Sequence, residues 1–256
     1  MLRAFYNRDA YFVHPYFRLR RKHAAGTEAR CRRVFELLRK SGVSPAGGSF
    51  RLLDVGCDTG EFIEAAKRLY GVEASGIDIS ERAVAEARAT GRDVRCCAVE
   101  DAPDDLRGYD LVTAIDVLEH TAHPVEVLRQ CGERLNAGGY CYIETPNLDS
   151  IVYRGGLALC RMSGGRPASV FRRLFPPEHM VHFCPASLLR AAELGGLDVS
   201  MRMPRSIPGG ELALPMWQAA ALNVLQYLDR VSGRGLLLCA LLRRQDTVAE
   251  RREAGR

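Results

Sequence analysis

Long apolar runs are missing from this chain. A transmembrane helix needs about 20 consecutive apolar residues, and the nearest approach, "LALPMWQAAALNVLQYLDRV", is broken by Pro215, Gln218, Asn223 and Gln226. The opening "MLRAFYNRDAYFVHPYF" lacks the continuous apolar core and small-residue cleavage site of a secretory signal, so a cytoplasmic protein without a membrane span is expected. Nine cysteines occur, yet none forms a CxxC pair or a Cys/His spacing suited to structural zinc. They are odd in number and mostly sit inside apolar runs such as "RCCAV", "GYCYIE" and "LLLCALL", which favours reduced, buried thiols over a disulfide framework. No internal repeat is visible, and no long alternation of aromatic and basic residues marks an RNA-binding module, so nucleic acid is not the first expectation. Histidine is scarce: of six, four fall in two short clusters, His120 with His123 and His179 with His182.

What is present suffices for a full core. The 256 residues are 47% hydrophobic and 26% charged, with a mild net charge of +5. Basic residues gather in "FRLRRKHAAGTEARCRRVFELLRK", Phe17 to Lys40, either as a solvated helix face or as a surface attracting an anionic substrate. Apolar residues recur at helical spacing from Glu28 to Lys40, and strand and helix patterns then alternate. "RLLDV", "VEASGIDIS", "DVRCCAVE", "YDLVTAIDV" and "YCYIETPN" read as strands, with helices between them in "EFIEAAKRLYG", "SERAVAEARATG" and "AHPVEVLRQCGERLNAGG". Ser80 is a candidate N-cap and Gly91 a stop signal. A less regular piece holding a helix and a Gly/Arg-rich loop follows. Then come a helix "PASLLRAAELGG", a strand "LDVSMRM", a helical stretch around Leu214 to Val231 and a last strand "GLLLCALLRR". The pattern predicts an α/β, Rossmann-like, seven-stranded, mostly parallel sheet with helices on both faces. An N-terminal helical cover (1–45) precedes the main domain (46–256), which carries an insertion (148–184) after the fifth strand.

In such open sheets a ligand sits outside the carboxyl ends of the strands, where strand order reverses. The turn "DVGCDTG" lies at such an end. Gly56 and Gly60 let the backbone bend and approach a ligand, the next helix offers N–H groups and a positive dipole end, and Asp78 at the end of the second strand can accept ribose hydroxyls. A dinucleotide is the competing ligand, but the turn lacks GxGxxG spacing.

Over roughly Leu52 to Leu197 the chain resembles the class I S-adenosylmethionine-dependent methyltransferases. The resemblance rests on the ordered motifs "LLDVGCDTG", "GIDIS", "VEDAP", "YDLVTAIDVLEH", "LNAGGYCYIETPN" and "HFCPASL". It implies S-adenosyl-L-methionine as cofactor and a binding set of Asp54, Gly56, Cys57, Gly60, Asp78, Ile79, Val99, Glu100 and Asp116. Within that set Asp54, Gly56 and Gly60 take the methionine end, Asp78 the ribose, and Val99 with Glu100 the adenine. Two positions depart from the family pattern. Asp58 stands where a third glycine is usual, and Ala98 replaces an acid beside the adenine contact, leaving Glu100 or Asp101 to serve.

The polar tail of "AIDVLEHTAHP" falls where the family's fourth strand faces the methyl group. A hydroxyl acceptor gains from a base or a metal, whereas a neutral amine needs little beyond alignment. The tail resembles the acid-x-x-Glu-His motif of ubiquinone-pathway O-methyltransferases and small-RNA 2′-O-methyltransferases. That likeness implies a divalent metal, Mg or another, on Asp116, Glu119, His120 and His179, with Asp116 one methylene shorter than the usual glutamate. The metal-free alternative makes His120 or His182 the general base, with Glu119 beside it, and a third reading leaves "VLEH" as a helix cap. The leading function is transfer of a methyl group to a hydroxyl of a small natural-product or cofactor-like acceptor. The alternatives are N-methylation of an amino sugar or amino acid, RNA 2′-O-methylation, and a non-catalytic cofactor-binding partner protein. Arg154, Arg161, Arg166, Arg172 and Arg173 in the insertion favour an anionic acceptor. The aromatics Phe5, Tyr6, Tyr11, Phe12, Tyr16 and Phe17 suit either a cap over the site or a hydrophobic seal. A monomer or homodimer is expected.

Overall fold

The computed structural model describes residues 24–45, 49–164, 166, 172, 174–207 and 216–244. Helix α1 (Ala24–Lys40) leads into β1 (Arg51–Val55), α2 (Glu61–Tyr70), β2 (Glu73–Asp78), α3 (Glu81–Ala89), β3 (Val94–Cys96) and β4 (Tyr109–Ile115). A single 3-10 turn, Leu118–His120, precedes α4 (Pro124–Arg134) and β5 (Leu135–Pro146). The chain continues through α5 (Ile151–Met162), α6 (Pro185–Leu194), β6 (Leu197–Arg205), α7 (Met216–Val231) and β7 (Leu237–Arg244).

The strands form one sheet in the order β3-β2-β1-β4-β5-β7-β6. Pairings through β5 are parallel, and β7 runs antiparallel between β5 and β6. Strand order reverses between β1 and β4, which puts the ligand crevice of an open α/β sheet at their carboxyl ends. Successive side chains in a strand point to opposite faces, and the two cores follow that rule. Leu111, Ile115, Tyr140 and Tyr142 pack with Phe35 of α1, Phe62 and Ile63 of α2 and Val84 of α3. Val112, Ala114, Cys141 and Ile143 pack with Leu128 of α4 and Leu188 of α6. Each fully buried Phe, Ile or Leu contributes about 1.5–3 kcal/mol, so both helical layers are anchored by apolar burial. Phe35 also stacks on Tyr70, with centroids 3.9 Å apart, fixing α1 against α2.

Three local expectations shift. The third strand, expected through Glu100, stops at Cys96, because the chain turns there into a loop stapled from below by Arg134. The helix expected to run into "LNAGG" stops at Arg134; Leu135 already pairs with Tyr109, and an irregularity in β4–β5 pairing absorbs the residues between Leu135 and Tyr140. The fourth strand ends at Ile115, since Asp116 has a left-handed backbone (φ 56°) that re-aims the chain.

Candidate active site

The β1–α2 turn is held by its own backbone. Gly56 (φ 72°) and Gly60 (φ 81°) adopt conformations that L side chains rarely take. A Cβ on Gly56 would also come within 2.6 Å of Val117 Cγ2. Asp58 shares the left-handed region at φ 49°, which its short polar side chain tolerates, so the turn closes without the third glycine. The N–H groups of Gly56 and Cys57 donate to the carbonyl of Ile77, tying the turn to β2. The Cys57 thiol is buried and pushed well above its ordinary pKa, mainly by that burial, so Cys57 packs rather than reacts. Asp54 is buried just below the turn and accepts a 2.6 Å hydrogen bond from the Thr113 hydroxyl, joining β1 to β4.

Asp78 sits at the tip of β2. Its two oxygens accept from the N–H groups of Asp58 and Ser80, each at 2.8 Å, so the turn and the acid are one constructed unit. Burial raises its pKa from 3.8 to about 6, opposed by the backbone hydrogen bonds from Ser80 and Asp58. Ile79 follows, half-buried. After β3, Val99 is buried while Glu100 and Asp101, expected beside the adenine, are exposed. The loop bearing them rests on Arg134, whose guanidinium donates to the carbonyls of Pro103 (2.9 Å), Ala102 (2.7 Å) and Val99 (3.4 Å).

Beyond β4 the acid and histidine residues do converge. Glu119, His120 and His179 bring one ligand atom each to within 4.8 Å of one another. The rings of His120 and His179 meet edge to face at 4.7 Å, and His182 lies 6.0 Å from His179. The N–H groups of Met180 and Val181 donate to the Glu119 carbonyl at 2.7 and 3.1 Å, fastening the returning segment onto the 3-10 turn. The Glu119 carboxylate is buried and accepts from the Thr145 hydroxyl at 2.9 Å. Nδ1 of His120 lies 3.1 Å from the Glu178 carbonyl. A carbonyl can only accept, so Nδ1 carries the proton and Nε2 the lone pair. Burial, then the neighbouring His120 and His182, lower the His179 pKa to about 4, leaving a neutral imidazole at physiological pH. His179 Nδ1 is itself buried with no partner among the described residues.

Asp116 stands outside this group. Its carboxylate lies 3.7 Å from Arg30, which also pairs with the fully buried Glu144 at 3.1 Å. Glu144 receives Arg205 at 2.5 Å and the Tyr142 hydroxyl at 2.9 Å. His123 is exposed at the start of α4, apart from the other histidines. Of the basic helix, Arg32, Arg39 and Lys40 face solvent whereas Arg30 and Arg33 are half-buried. The N-terminal aromatics and Arg173 lie outside the described residues; Arg154, Arg161, Arg166 and Arg172 are exposed. The sequence reading missed Arg134, Thr145 and the Arg30–Glu144–Arg205 network. An acid inside the apolar strand "YCYIETP" was the one available signal, because a buried carboxylate requires partners.

A seven-stranded sheet with antiparallel β7, a left-handed turn after β1 and an acid closing β2 define a Rossmann-like fold of the methyltransferase type. The chain belongs to the methyltransferase-domain family, whose model matches residues 19–200. Membership implies S-adenosylmethionine as methyl donor. Among curated relatives, a ubiquinone biosynthesis O-methyltransferase of Chromobacterium violaceum is 33% identical over 110 residues, covering 40% of this chain and 47% of the relative. One from Xanthomonas oryzae pv. oryzae is 34% identical over 163 residues, covering 59% and 64%. The chain thus spans about half to just under two thirds of the length of these relatives. Two solved structures share the fold. A methyltransferase of Thermotoga maritima has TM-score 0.60 at 16% identity, covering 96% of this chain and 100% of that one. A cyclopropane synthase of Mycobacterium tuberculosis has TM-score 0.54 at 16% identity, covering 82% and 84%. Among the described residues no helix is long and apolar enough to cross a membrane.

Proposed function

We propose that the protein is an S-adenosylmethionine-dependent O-methyltransferase acting on a small acceptor of biosynthetic type. The observation that carries this reading is the meeting of Glu119, His120 and His179 beyond the carboxyl end of β4, beside the β1–α2 turn. An amine acceptor would need no such group, whereas a hydroxyl must lose its proton as the methyl arrives. The names of the curated relatives point the same way.

A divalent metal fits Glu119, His120 and His179, which offer one carboxylate oxygen and two imidazole nitrogens, a mixed set less exclusive for Mg or Mn than an all-oxygen one, and His179 Nδ1 is buried with no partner among the described residues. When bound, the ion would lower the pKa of an acceptor hydroxyl. The chain's own groups orient and receive. Thr145 steers the Glu119 carboxylate, the Glu178 carbonyl turns the His120 lone pair onto Nε2, and Asp78 holds the ribose. In the metal-free reading the same hydrogen bond makes His120 the proton acceptor, with His182 behind His179. Acceptor choice is assigned to the N-terminal cover (1–45) and the insertion (148–184), the parts outside the common core. Calorimetric titration with S-adenosylmethionine tests the reading: saturable one-to-one binding is expected, and no binding removes it. Turnover lost on chelation and restored by Mn or Mg selects the metal, and turnover unchanged by exhaustive chelation selects His120 alone.

A further inference from the structure

Between α1, β6 and the end of α7 lies a cavity of about 230 Å³, lined by Arg33, Arg205, Arg230 and Arg234 and, among the described residues, by no acid. Leu37, Met203 and Pro204 give it an apolar wall. It occupies the face of the sheet opposite the histidines. Thr145 of β5 reaches Glu119 on one face, and the preceding Glu144 reaches Arg30 and Arg205 on the other. Charge there is only partly balanced. The lining carries four arginines, and the acids beside them among the described residues are Glu144, which Arg205 reaches at 2.5 Å and Arg30, outside the lining, shares at 3.1 Å, and Asp229. Asp229, next to Arg230, turns its carboxylate to the N–H of Ile151 at 2.7 Å and does not line the cavity.

Arg33 is the unusual member. Its Nε and Nη2 are both buried with no hydrogen-bond partner among the described residues. Burial, then the charge of neighbouring Arg205, hold its pKa below the ordinary value. A guanidinium nevertheless keeps its proton near neutral pH. A half-buried cation whose Nε and Nη2 are shut off from solvent and unmet leaves two donors for an anion to complete.

We propose that this cavity binds the phosphate of an organic phosphoester. Guanidinium forks match phosphate oxygens in paired hydrogen bonds. Four lining guanidinium groups suit a dianion better than a single carboxylate, and the apolar wall receives the carbon attached to the phosphate. A drug-sized ligand site runs to about 300–1,000 Å³, so this smaller space takes a head group rather than a whole nucleotide cofactor. The site goes beyond methyl transfer and does not depend on it.

Titration of phenyl phosphate into the full chain tests the assignment. Saturable one-to-one binding is expected, weakened at least tenfold in Arg33→Met and in Arg234→Gln, the latter an exposed position where folding is not at stake. Benzoate should bind at least tenfold more weakly than phenyl phosphate, and inorganic phosphate should also bind more weakly. Absence of saturable binding, or unchanged affinity in both variants, overturns the site. Benzoate binding as tightly as phenyl phosphate overturns the phosphate assignment, and tighter binding of inorganic phosphate overturns the ester. S-adenosylmethionine titrated into the same samples separates the two proposals: its binding without phosphoester binding removes only this one, and the converse removes only the methyltransferase reading.

Discussion

The two sides of the crevice that we propose for the cofactor and the acceptor are built in different ways. On the side we propose for the cofactor, Gly56, Asp58, Gly60 and Asp78 lie close in sequence and are locked by backbone N–H donors, Asp58 N–H to the Asp78 carboxylate and Gly56 N–H to the Ile77 carbonyl. On the acceptor side, the groups come from the end of β4, the end of β5 and the returning segment around His179. Side chains position them: Thr145 on Glu119, and His120 on a carbonyl 58 residues away. The first arrangement is local and pre-formed, whereas the second depends on side chains brought together from distant parts of the chain. The difference predicts which substitutions damage binding and which damage turnover.

His120→Ala carries the largest expected effect. Turnover on an acceptor found with labelled cofactor should fall by about 10²–10⁴-fold, while the dissociation constant of S-adenosylmethionine stays within about twofold. Equal loss of both, or of neither, would break the division between the two sides.

Asp78→Asn should do the reverse. A hydrogen bond to a charged group is worth about 1.5–3 kcal/mol, so cofactor affinity should fall roughly 10- to 100-fold with little change in turnover at saturation. The wild-type pH profile follows from the folded pKa of about 6. Cofactor affinity should be flat above that value and decline below it, as the carboxylate is protonated, and the Asn variant should show no such decline. For the unliganded protein the sign is opposite. A raised carboxyl pKa means that the group's contribution to stability is full below its unfolded value of 3.8 and is lost as pH rises through about 6. A melting temperature measured across that window, wild type against the Asn variant, checks it.

Arg134→Met should weaken cofactor binding about tenfold, in line with about 1–2 kcal/mol for carbonyls left unmatched, with turnover at saturation preserved. Its signature is a loosened loop from Val99 to Pro103, seen as faster amide hydrogen exchange there. Thr145→Val is the mildest test. Loss of one neutral hydrogen bond, about 1 kcal/mol, should lower turnover several-fold through a less well held Glu119 and leave cofactor affinity intact.

The same contrast explains what the sequence could reveal. Strand alternation, the turn "DVGCDTG" and the acid of "GIDIS" are local patterns, and the sheet and the joining of that turn to that acid were legible from them. Glu119 and His120 stood out because acid and imidazole follow an apolar run. The pairing of His120 with His179 was open, since long-range contacts bring that segment back: the parallel bridge Asn147 to Phe183, the hydrogen bonds onto the Glu119 carbonyl and His120 Nδ1 on the Glu178 carbonyl. Arg134 looked like any helix-ending cation; its role depends on a loop more than thirty residues earlier. The partners of Glu144 were hidden because Arg205 lies 61 residues away and reaches it only through the antiparallel insertion of β7 between β5 and β6. Asp116 was expected among the ligands by the likeness of its motif; its backbone is left-handed, and its carboxylate lies 3.7 Å from Arg30.

The most direct measurement is a calorimetric titration of S-adenosylmethionine into the wild-type protein and into His120→Ala and Asp78→Asn side by side. One-to-one binding by the wild type, matched by His120→Ala and weakened at least tenfold in Asp78→Asn, is the predicted result. No binding by the wild type, or affinity lost in His120→Ala and kept in Asp78→Asn, would contradict the assignment of the two sides.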